Sequence, residues 1–223
     1  LLPADTELIG STYQGSVLTE LRVARRVATP PDVLSVRLVG KPGATETYAL
    51  QSSVSVATPD ELRAAGTDYE GWVRDKYLQL PPTLPRRVRD LARQLTRDAP
   101  TPYDKAEAIS SYLKTFEYTL DIDPPPYDGD AIDHFLFTLK KGYSDYFGSA
   151  MTVLLRASGV PARLAAGYAP GQRNKDGKFI VRDYDSHAWT EVFFPGYGWV
   201  SFEPTPGKAR LEEVSLPSGE SEP

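Results

Sequence analysis

Three residues that lie far apart in the sequence carry the groups that nucleophilic acyl transfer needs. Ser144 lies in "GYSDYF", His187 in "SHAWTEVFF" and Glu203 in "GWVSFEP". A hydroxyl can attack a carbonyl carbon, an imidazole can exchange the proton, and a carboxylate can fix the tautomer of the imidazole. The sequence therefore suggests a nucleophile, a general base and an orienting acid, in that order along the chain.

Ser144 precedes a predicted helix, and the start of a helix affects how easily a nucleophile there ionises. Apolar residues at three- and four-residue steps predict a buried helix over residues 145–158, with Gly159 closing it and Pro161 preventing its return. Ser144 then lies at or just before the first turn, where free backbone amides and the helix dipole stabilise an anion. A cysteine there would have a lowered thiol pKa, whereas a serine without further context would be an ordinary N-cap.

Four strand candidates follow this helix, at residues 162–170, 178–184, 186–194 and 198–204. Antiparallel pairing of the last two through the "PGYG" turn would bring His187 and Glu203 close together. Asp185 and Glu191 compete with Glu203 for the orienting role, because both lie within a few positions of the histidine. A nucleophile helix packed on an antiparallel sheet predicts an α+β fold.

The beginning of the chain differs from the rest. Residues 1–57 carry short stretches rich in Val, Thr and Tyr, separated by Pro and Gly, which predict a small β-rich segment with no chemistry of its own. Residues 58–206 form the predicted core, and residues 207–223 form a polar linker. The core is predicted to contain a helix from "TPDE", where Thr58 and Glu61 match a capping box, and one from "TPYD", where a Thr cap again precedes Pro. Further helices are predicted over 84–98 and over "AIDHFLFTLK" up to Gly142, with a surface loop at 121–130.

Composition narrows the classes of function. The 223 residues carry 25 Lys and Arg against 30 Asp and Glu, a net charge of −5, which argues against a nucleic-acid partner. The absence of cysteine excludes disulfides and thiolate metal sites, and two histidines make a zinc site improbable, so we expect no metal and no cofactor. No apolar run approaches the ~20 residues that cross a bilayer. A start without Met and a polar end favour a soluble piece of a larger protein.

The blocks "GYSDYFGSAMTVLLRASGVPARLAAGY", "HAWTEVFFPGYGW" and "WVSFEPTP" closely resemble the transglutaminase-like superfamily, whose core is papain-like. They are similar in particular to the extracytoplasmic domain of bacterial membrane proteins, and the resemblance covers residues 84–206. It implies a Cys-His-Asp triad, carried over as Ser144, His187 and Glu203. It also implies a protein or peptide substrate attacked at a Gln carboxamide or peptide carbonyl, with an amine or water as acceptor, and a parent protein anchored in a bacterial cell membrane.

Two of the three triad positions depart from the family pattern. Glu203 in place of Asp is mild, since both carboxylates accept a hydrogen bond from the imidazole N–H, although the extra methylene alters the reach. Ser144 in place of Cys is severe, because a hydroxyl cannot rest ionised beside an imidazolium as a thiol can, and we expect a rate loss on the order of 10³ or more, about 4 kcal/mol. Three explanations stay open: an engineered substitution, a natural serine with little activity, and a true serine enzyme. One rival function is an inactive module that binds peptides or cell wall, and another is a structural domain that spaces membrane segments.

The resemblance also suggests residues around the reacting groups. Tyr143 and Asp145 flank the nucleophile and are candidates for the mouth of the cleft. Trp189 and Trp199 are candidates either for an acceptor tunnel or for plain core, and the Ser144 amide is one expected oxyanion donor.

Three further polar residues are assigned to structural roles. Arg156 and Arg163 are interpreted as members of structural ion pairs, and His134 as a surface or packing histidine.

Overall fold

The computed structural model describes residues 13–15, 46–48, 55, 57–123, 129–176 and 178–208. The chain divides into two units, Leu1–Val56 and Ala57–Pro223. In the first unit, strand β1 (Tyr13–Gly15) pairs antiparallel with β2 (Glu46–Tyr48). Apart from residues 55 and 57, the remainder of the predicted β-rich segment lies outside the described residues, as does most of the predicted C-terminal linker.

The second unit begins with helices where the capping signals predicted them. Its helices are α1 (Pro59–Ala64), α2 (Gly71–Tyr77), α3 (Arg86–Leu95), α4 (Pro102–Leu113), α5 (Ala131–His134) and α6 (Ser144–Ala157). The capping box at the start of α1 is confirmed, because Glu61 N donates to Thr58 Oγ1 and Thr58 N donates to Glu61 Oε2. Thr101 caps α4 by accepting from Asp104 N at 3.2 Å. Helix α3 is shorter at both ends than the predicted 84–98.

The helix predicted to run up to Gly142 ends earlier than expected. After α5 the chain widens into a π-helical turn, Phe135–Leu139, and Lys140 adopts a left-handed conformation with φ 49°. Lys140 N donates to Phe135 O at 2.9 Å, a bond across five residues that completes the wide turn and ends the helix there. Gly142 lies instead in strand β4 (Lys141–Gly142), parallel to β3 (Glu117–Tyr118). Within the predicted surface loop, residues 124–128 lie outside the described part of the chain.

A three-stranded antiparallel sheet follows α6. The strands after α6 are β5 (Ala162–Tyr168), β6 (Gln172–Arg173), β7 (Phe179–Ile180), β8 (Ser186–Phe194) and β9 (Gly198–Phe202). The sheet has the order β5-β8-β9, whereas β6 and β7 form a separate hairpin. The strand predicted over 178–184 is therefore wrong beyond β7. A 3-10 turn at Asp183–Asp185 interrupts it, because the Asp185 carboxylate accepts from the Arg182 amide at 2.7 Å.

Helix α6 packs closely on one face of this sheet. A Cβ added at Gly148 would lie 2.7 Å from Leu164 Cδ1 and 3.4 Å from Trp189 O, so any larger residue would have to displace the Leu164 side chain. Thr190 Oγ1 donates to Gly148 O at 3.0 Å and joins helix to strand. The helix and the sheet thus form two layers, and the mixed α and β architecture with an antiparallel sheet confirms the predicted fold class.

Two aromatic residues of α2 pack on the other face of the sheet. The Trp72 ring lies 5.8 Å from that of Phe193, and the Tyr77 ring lies 4.5 Å from that of Trp199. In the described ranges, no helix combines the length and the apolar character that a membrane crossing requires.

Candidate active site

A buried hydrogen bond joins His187 to Glu203. The register of β8 and β9 pairs Thr190 with Phe202, so Glu203, one residue past the end of β9, lies beside the start of β8. The distance between His187 Nε2 and Glu203 Oε2 is 2.5 Å, and the two residues are 6% and 3% exposed. Because Nε2 faces the carboxylate, Nδ1 is the ring nitrogen left to exchange a proton with another group.

The carboxylate of Glu203 is held at both oxygens. Oε1 accepts a hydrogen bond from the backbone amide of Thr205 at 2.8 Å, while Oε2 contacts His187. The backbone carbonyl of Glu203 also accepts from Ser110 Oγ on α4 at 3.2 Å. Glu203 is therefore held by the residues that follow its own strand and by a helix that lies elsewhere in the sequence.

Ser144 is the first residue of α6, and it is buried with 7% exposure. Tyr143 occupies the cap position and makes no side-chain cap bond, so Ser144 is not the ordinary N-cap that its type would suggest. Among the described residues, no hydrogen bond joins the Ser144 hydroxyl to His187. The backbone amides of the first turn of this 14-residue helix lie at its positive end.

The chain topology places the start of α6 and the start of β8 at the same end of the core. Ala162, which begins β5 shortly after α6 ends, pairs with Val192. Strand β5 then runs back along the helix to Gly167, which pairs with His187. Ser144 and His187 are therefore at one end of the helix and sheet layers, which is the placement that a shared site requires.

The two rivals of Glu203 for the orienting role are engaged elsewhere. Glu191 forms a buried ion pair with Arg163, with 2.6 Å between Oε2 and Nε. Asp185 accepts the Arg182 amide in the 3-10 turn. The hydrogen bond to His187 favours Glu203 over both.

The predicted cleft residues differ in their burial and in the groups they contact. Trp189 lies against His187, with ring centroids 6.4 Å apart and planes at 22°. The Arg163 guanidinium lies 4.1 Å from the ring centre of Trp199. Both indoles are buried, at 7% and 6% exposure, while Tyr143 is half-buried and Asp145 is exposed.

The three structural assignments have different outcomes. Arg163 belongs to an ion pair as predicted, but Arg156 donates instead to the carbonyls of Ala162 at 2.8 Å and Gln79 at 3.0 Å. Burial lowers the pKa of Arg156, which is consistent with a guanidinium that is partly removed from water. His134 is half-buried at the end of α5. No group of three or more acidic, histidine or cysteine side chains that could hold a metal ion occurs in the described part of the chain.

Sequence reasoning missed the two residues that hold Glu203. Thr205 carries a local signal, because it follows within the "EPTP" block and its amide lies two residues from the carboxylate. Ser110 carries none, since 93 positions separate it from Glu203 and its helix position predicts only a small buried residue.

Comparison with known proteins gives consistent results. The family model described as the transglutaminase-like superfamily matches residues 89–204. The chain is 46% identical over 171 residues to the uncharacterized protein YebA of Bacillus subtilis (strain 168), which covers 72% of this chain and 23% of that protein. It is 34% identical over 148 residues to a protein-glutamine gamma-glutamyltransferase of Pseudomonas aeruginosa, which covers 66% of this chain and 22% of the relative.

A solved structure agrees in fold. The crystal structure of the periplasmic domain of TgpA from Pseudomonas aeruginosa matches with a TM-score of 0.64 and 26% identity, covering 91% of this chain and 74% of that one. The chain spans less than a quarter of the length of the two curated relatives, so most of each relative has no counterpart in it.

Proposed function

Because this chain belongs to the transglutaminase-like superfamily, we propose that its core is an acyl-transfer domain acting on a Gln carboxamide or a peptide carbonyl of a protein substrate. The observation that carries the proposal is the buried contact between His187 and Glu203, at the end of the sheet where α6 begins. Similarity to a protein-glutamine gamma-glutamyltransferase supports the substrate class. The roles proposed are nucleophile position for Ser144, general base for His187 and orienting acid for Glu203.

The proposed reaction requires a cysteine at the nucleophile position. The sulfur attacks the carbonyl carbon, the C–N bond breaks, and the imidazolium of His187 delivers its proton to the departing amine or ammonia. Water or an amine then attacks the thioester carbonyl and passes a proton to His187 Nδ1. The C–S bond breaks, the acyl group leaves as the acid or the new amide, and the thiolate and the imidazolium are restored. Glu203 holds the ring through Nε2, and the first amides of α6 stabilise the oxyanion.

The serine at this position makes the present form inactive or very weak. A hydroxyl must lose its proton during the attack itself, whereas a thiol at a helix start can already be ionised. Tyr143, Asp145, Trp189 and Trp199 remain proposed cleft residues.

The second candidate function is a binding module that holds peptides or cell-wall stems without turning them over. This binding function is favoured by the serine at position 144, because the site lacks a thiol while His187 and Glu203 contact each other. It predicts substrate binding by the chain as it stands and no gain of chemistry when a thiol is introduced.

A bacterial, extracytoplasmic location is proposed for the domain. The support is its likeness to a periplasmic domain, and the larger parent protein is proposed to be anchored in the cell membrane. The split into a β-rich segment over 1–57, a core over 58–206 and a linker over 207–223 likewise remains a proposal.

The experiment that tests the function is the Ser144→Cys variant. We expect fast labelling by iodoacetamide and release of ammonia from a Gln-containing peptide in the presence of an amine donor. Ser111→Cys, at an exposed position of α4, is the matched control for ordinary thiol reactivity. If both thiols react at the same rate and neither variant releases ammonia, the enzyme proposal fails and the binding module is retained.

A further inference from the structure

The hairpin of β6 and β7 carries exposed apolar side chains on both of its faces. Arg173 pairs with Phe179 and Gln172 pairs with Ile180, so the two apolar residues of β7 lie on opposite faces. Phe179 is 36% exposed and Ile180 is 41% exposed. A two-stranded hairpin is at best marginally stable in water without a covered face. Exposed apolar groups on both sides therefore point to a partner for this segment, which we call the hairpin arm (residues 171–176 and 178–182).

The hairpin arm begins and ends beside the proposed reaction site. Gly167 pairs with His187 and Tyr168 pairs with Ser186, and the ladder continues where Ala169 N donates to Asp185 O at 2.8 Å. The hairpin arm lies in the segment that connects β5 to β8, immediately beyond this hydrogen bond. A chain lying on the arm would therefore pass the end of the sheet that holds His187.

Two exposed tyrosines flank the base of the arm. Tyr168 is 56% exposed and Tyr184 is 70% exposed. The guanidinium of Arg182 lies 5.7 Å from the ring centre of Tyr184, and its Nη1 donates to the Tyr184 hydroxyl at 3.1 Å. The base thus presents aromatic surface next to a cation, a combination that binds both apolar and anionic groups.

The charge of the arm is opposite to that of the chain. Four cations and one carboxylate lie in the arm, in a chain with a net charge of −5: Arg173, Lys175, Lys178 and Arg182 against Asp176. Asp183 and Asp185 follow at its base, where the Asp185 carboxylate is engaged with the Arg182 amide. The tip that holds the lysines is ordered by Asn174, whose Oδ1 accepts from the amides of Asp176 at 3.0 Å and Lys178 at 2.8 Å.

We propose that the hairpin arm is a docking surface for an acidic, extended polypeptide segment that flanks the reacting residue of the substrate. Cations at the tip would contact its carboxylates, while Phe179, Ile180 and Tyr184 would contact its apolar side chains. The apolar contacts favour a polypeptide over a purely anionic polymer, which would use the charges alone. The inference rests on the proposed function in one respect, because it takes the His187 end of the sheet as the site of reaction.

Equilibrium binding tests the inference without requiring catalysis. The 223-residue chain with Ser144 in place is titrated into a fluorescein-labelled peptide in which one Gln is flanked by Asp, Glu and Tyr. A second peptide replaces the acidic residues by Lys, and dextran sulfate is a third probe. At low salt we expect the acidic peptide to bind about tenfold more tightly than the basic one, with the difference shrinking as salt screens the charges.

Double variants test whether the acidic peptide binds at the hairpin arm. Lys175→Glu/Lys178→Glu is expected to weaken binding of the acidic peptide about tenfold, and Lys175→Gln/Lys178→Gln by less. The matched control is Arg86→Glu/Arg97→Glu, which makes the same charge change at exposed positions of α3 and just beyond its end, and should leave the affinity within about twofold. Phe179→Ser/Ile180→Ser is expected to weaken the binding that persists at high salt.

Several results would overturn the inference. These are equal binding of the two peptides, equal effects of the arm and control variants, or dextran sulfate binding as tightly as the acidic peptide. None of these results would contradict the proposed function, which is tested separately by the chemistry of the Ser144→Cys variant. Conversely, acidic-peptide binding that depends on the arm, with no chemistry from the thiol variant, would support the docking surface and the binding-module function together.

Discussion

The hydroxyl of Ser110 on α4 donates a hydrogen bond to the backbone carbonyl of Glu203, whose carboxylate contacts His187. This contact connects the helical half of the core to the end of the sheet at the proposed active site. We therefore predict a positioning role for Ser110, which contacts Glu203, the proposed orienting acid, and would act through it and not on the reacting atoms.

Removing this hydroxyl tests the positioning role. In the Ser144→Cys background, Ser110→Ala is expected to lower kcat several-fold and stability by about 1 kcal/mol, because a buried carbonyl loses its donor. Ser110→Thr keeps a hydroxyl and should restore the rate. A purely structural role predicts loss of stability with kcat unchanged, which urea unfolding and steady-state kinetics together would reveal.

The second prediction concerns the carboxylate itself. Glu203→Gln in the same background keeps the size of the side chain but removes its charge, so we expect kcat to fall by a factor on the order of 10² or more. Glu203→Asp retains the charge and should retain more activity than Glu203→Gln, although its reach to Nε2 is shorter. Equal rates for the two variants would show that the carboxylate charge does not act on His187.

The third prediction concerns the close approach of α6 to the sheet. Gly148→Ala should forfeit most of the ~1 kcal/mol that this change normally gains inside a helix, because the new methyl group meets Leu164 Cδ1. Adding Leu164→Ala should recover part of that loss. Gly159→Ala is the control, since its cost comes from a φ of +76° and Leu164→Ala should not reduce it. The measurement is the free energy of unfolding in urea, and simple additivity for the first pair would contradict the steric explanation.

The fourth prediction concerns the buried ion pair of Arg163 and Glu191. Glu191→Leu alone leaves a buried cation opposite an apolar side chain and should cost about 3–5 kcal/mol. Arg163→Met/Glu191→Leu removes both charges and should be markedly more stable than Glu191→Leu. If the double variant unfolds at the same urea concentration as the single one, the uncompensated charge is not the cause of the loss.

The fifth prediction is a pH dependence of stability that involves Asp104. The Thr101 hydroxyl, and after it the Arg63 guanidinium, lower the pKa of Asp104 from its ordinary value. A carboxyl whose pKa is lower in the folded protein contributes stability above its unfolded pKa of about 3.9, and that contribution is lost as the pH falls through the folded pKa. Asp104→Asn should therefore flatten the acid limb of the stability curve between about pH 5 and pH 2. An acid limb identical to that of the parent would contradict the assignment.

Much of the local structure could be predicted from the sequence. The Thr58 and Thr101 caps, the extent of α6 and the pairing of β8 with β9 follow from hydrogen bonds and periodicities that involve residues a few positions apart. The proximity of His187 and Glu203 belongs to this class, since one tight turn and the alternation of two strands place them together.

Other features follow the sequence less directly. The π-helical turn ending at Lys140 and the 3-10 turn ending at Asp185 interrupt segments whose apolar pattern predicts regular helix and strand. Here a single hydrogen bond, across five residues in one case and from a side chain in the other, determines where the element ends.

By itself the sequence determined the family, the α+β class and which residue types are available for chemistry, because motifs and periodic patterns depend on residues that are close together in the chain. Only the tertiary structure showed that Glu203 contacts His187 while Asp185 and Glu191 contact other groups, because these contacts depend on which donors each carboxylate meets once the layers have packed. It alone brought Ser110 to Glu203, since contacts across 93 positions depend on how a helix docks on a strand end and leave no local pattern in the chain.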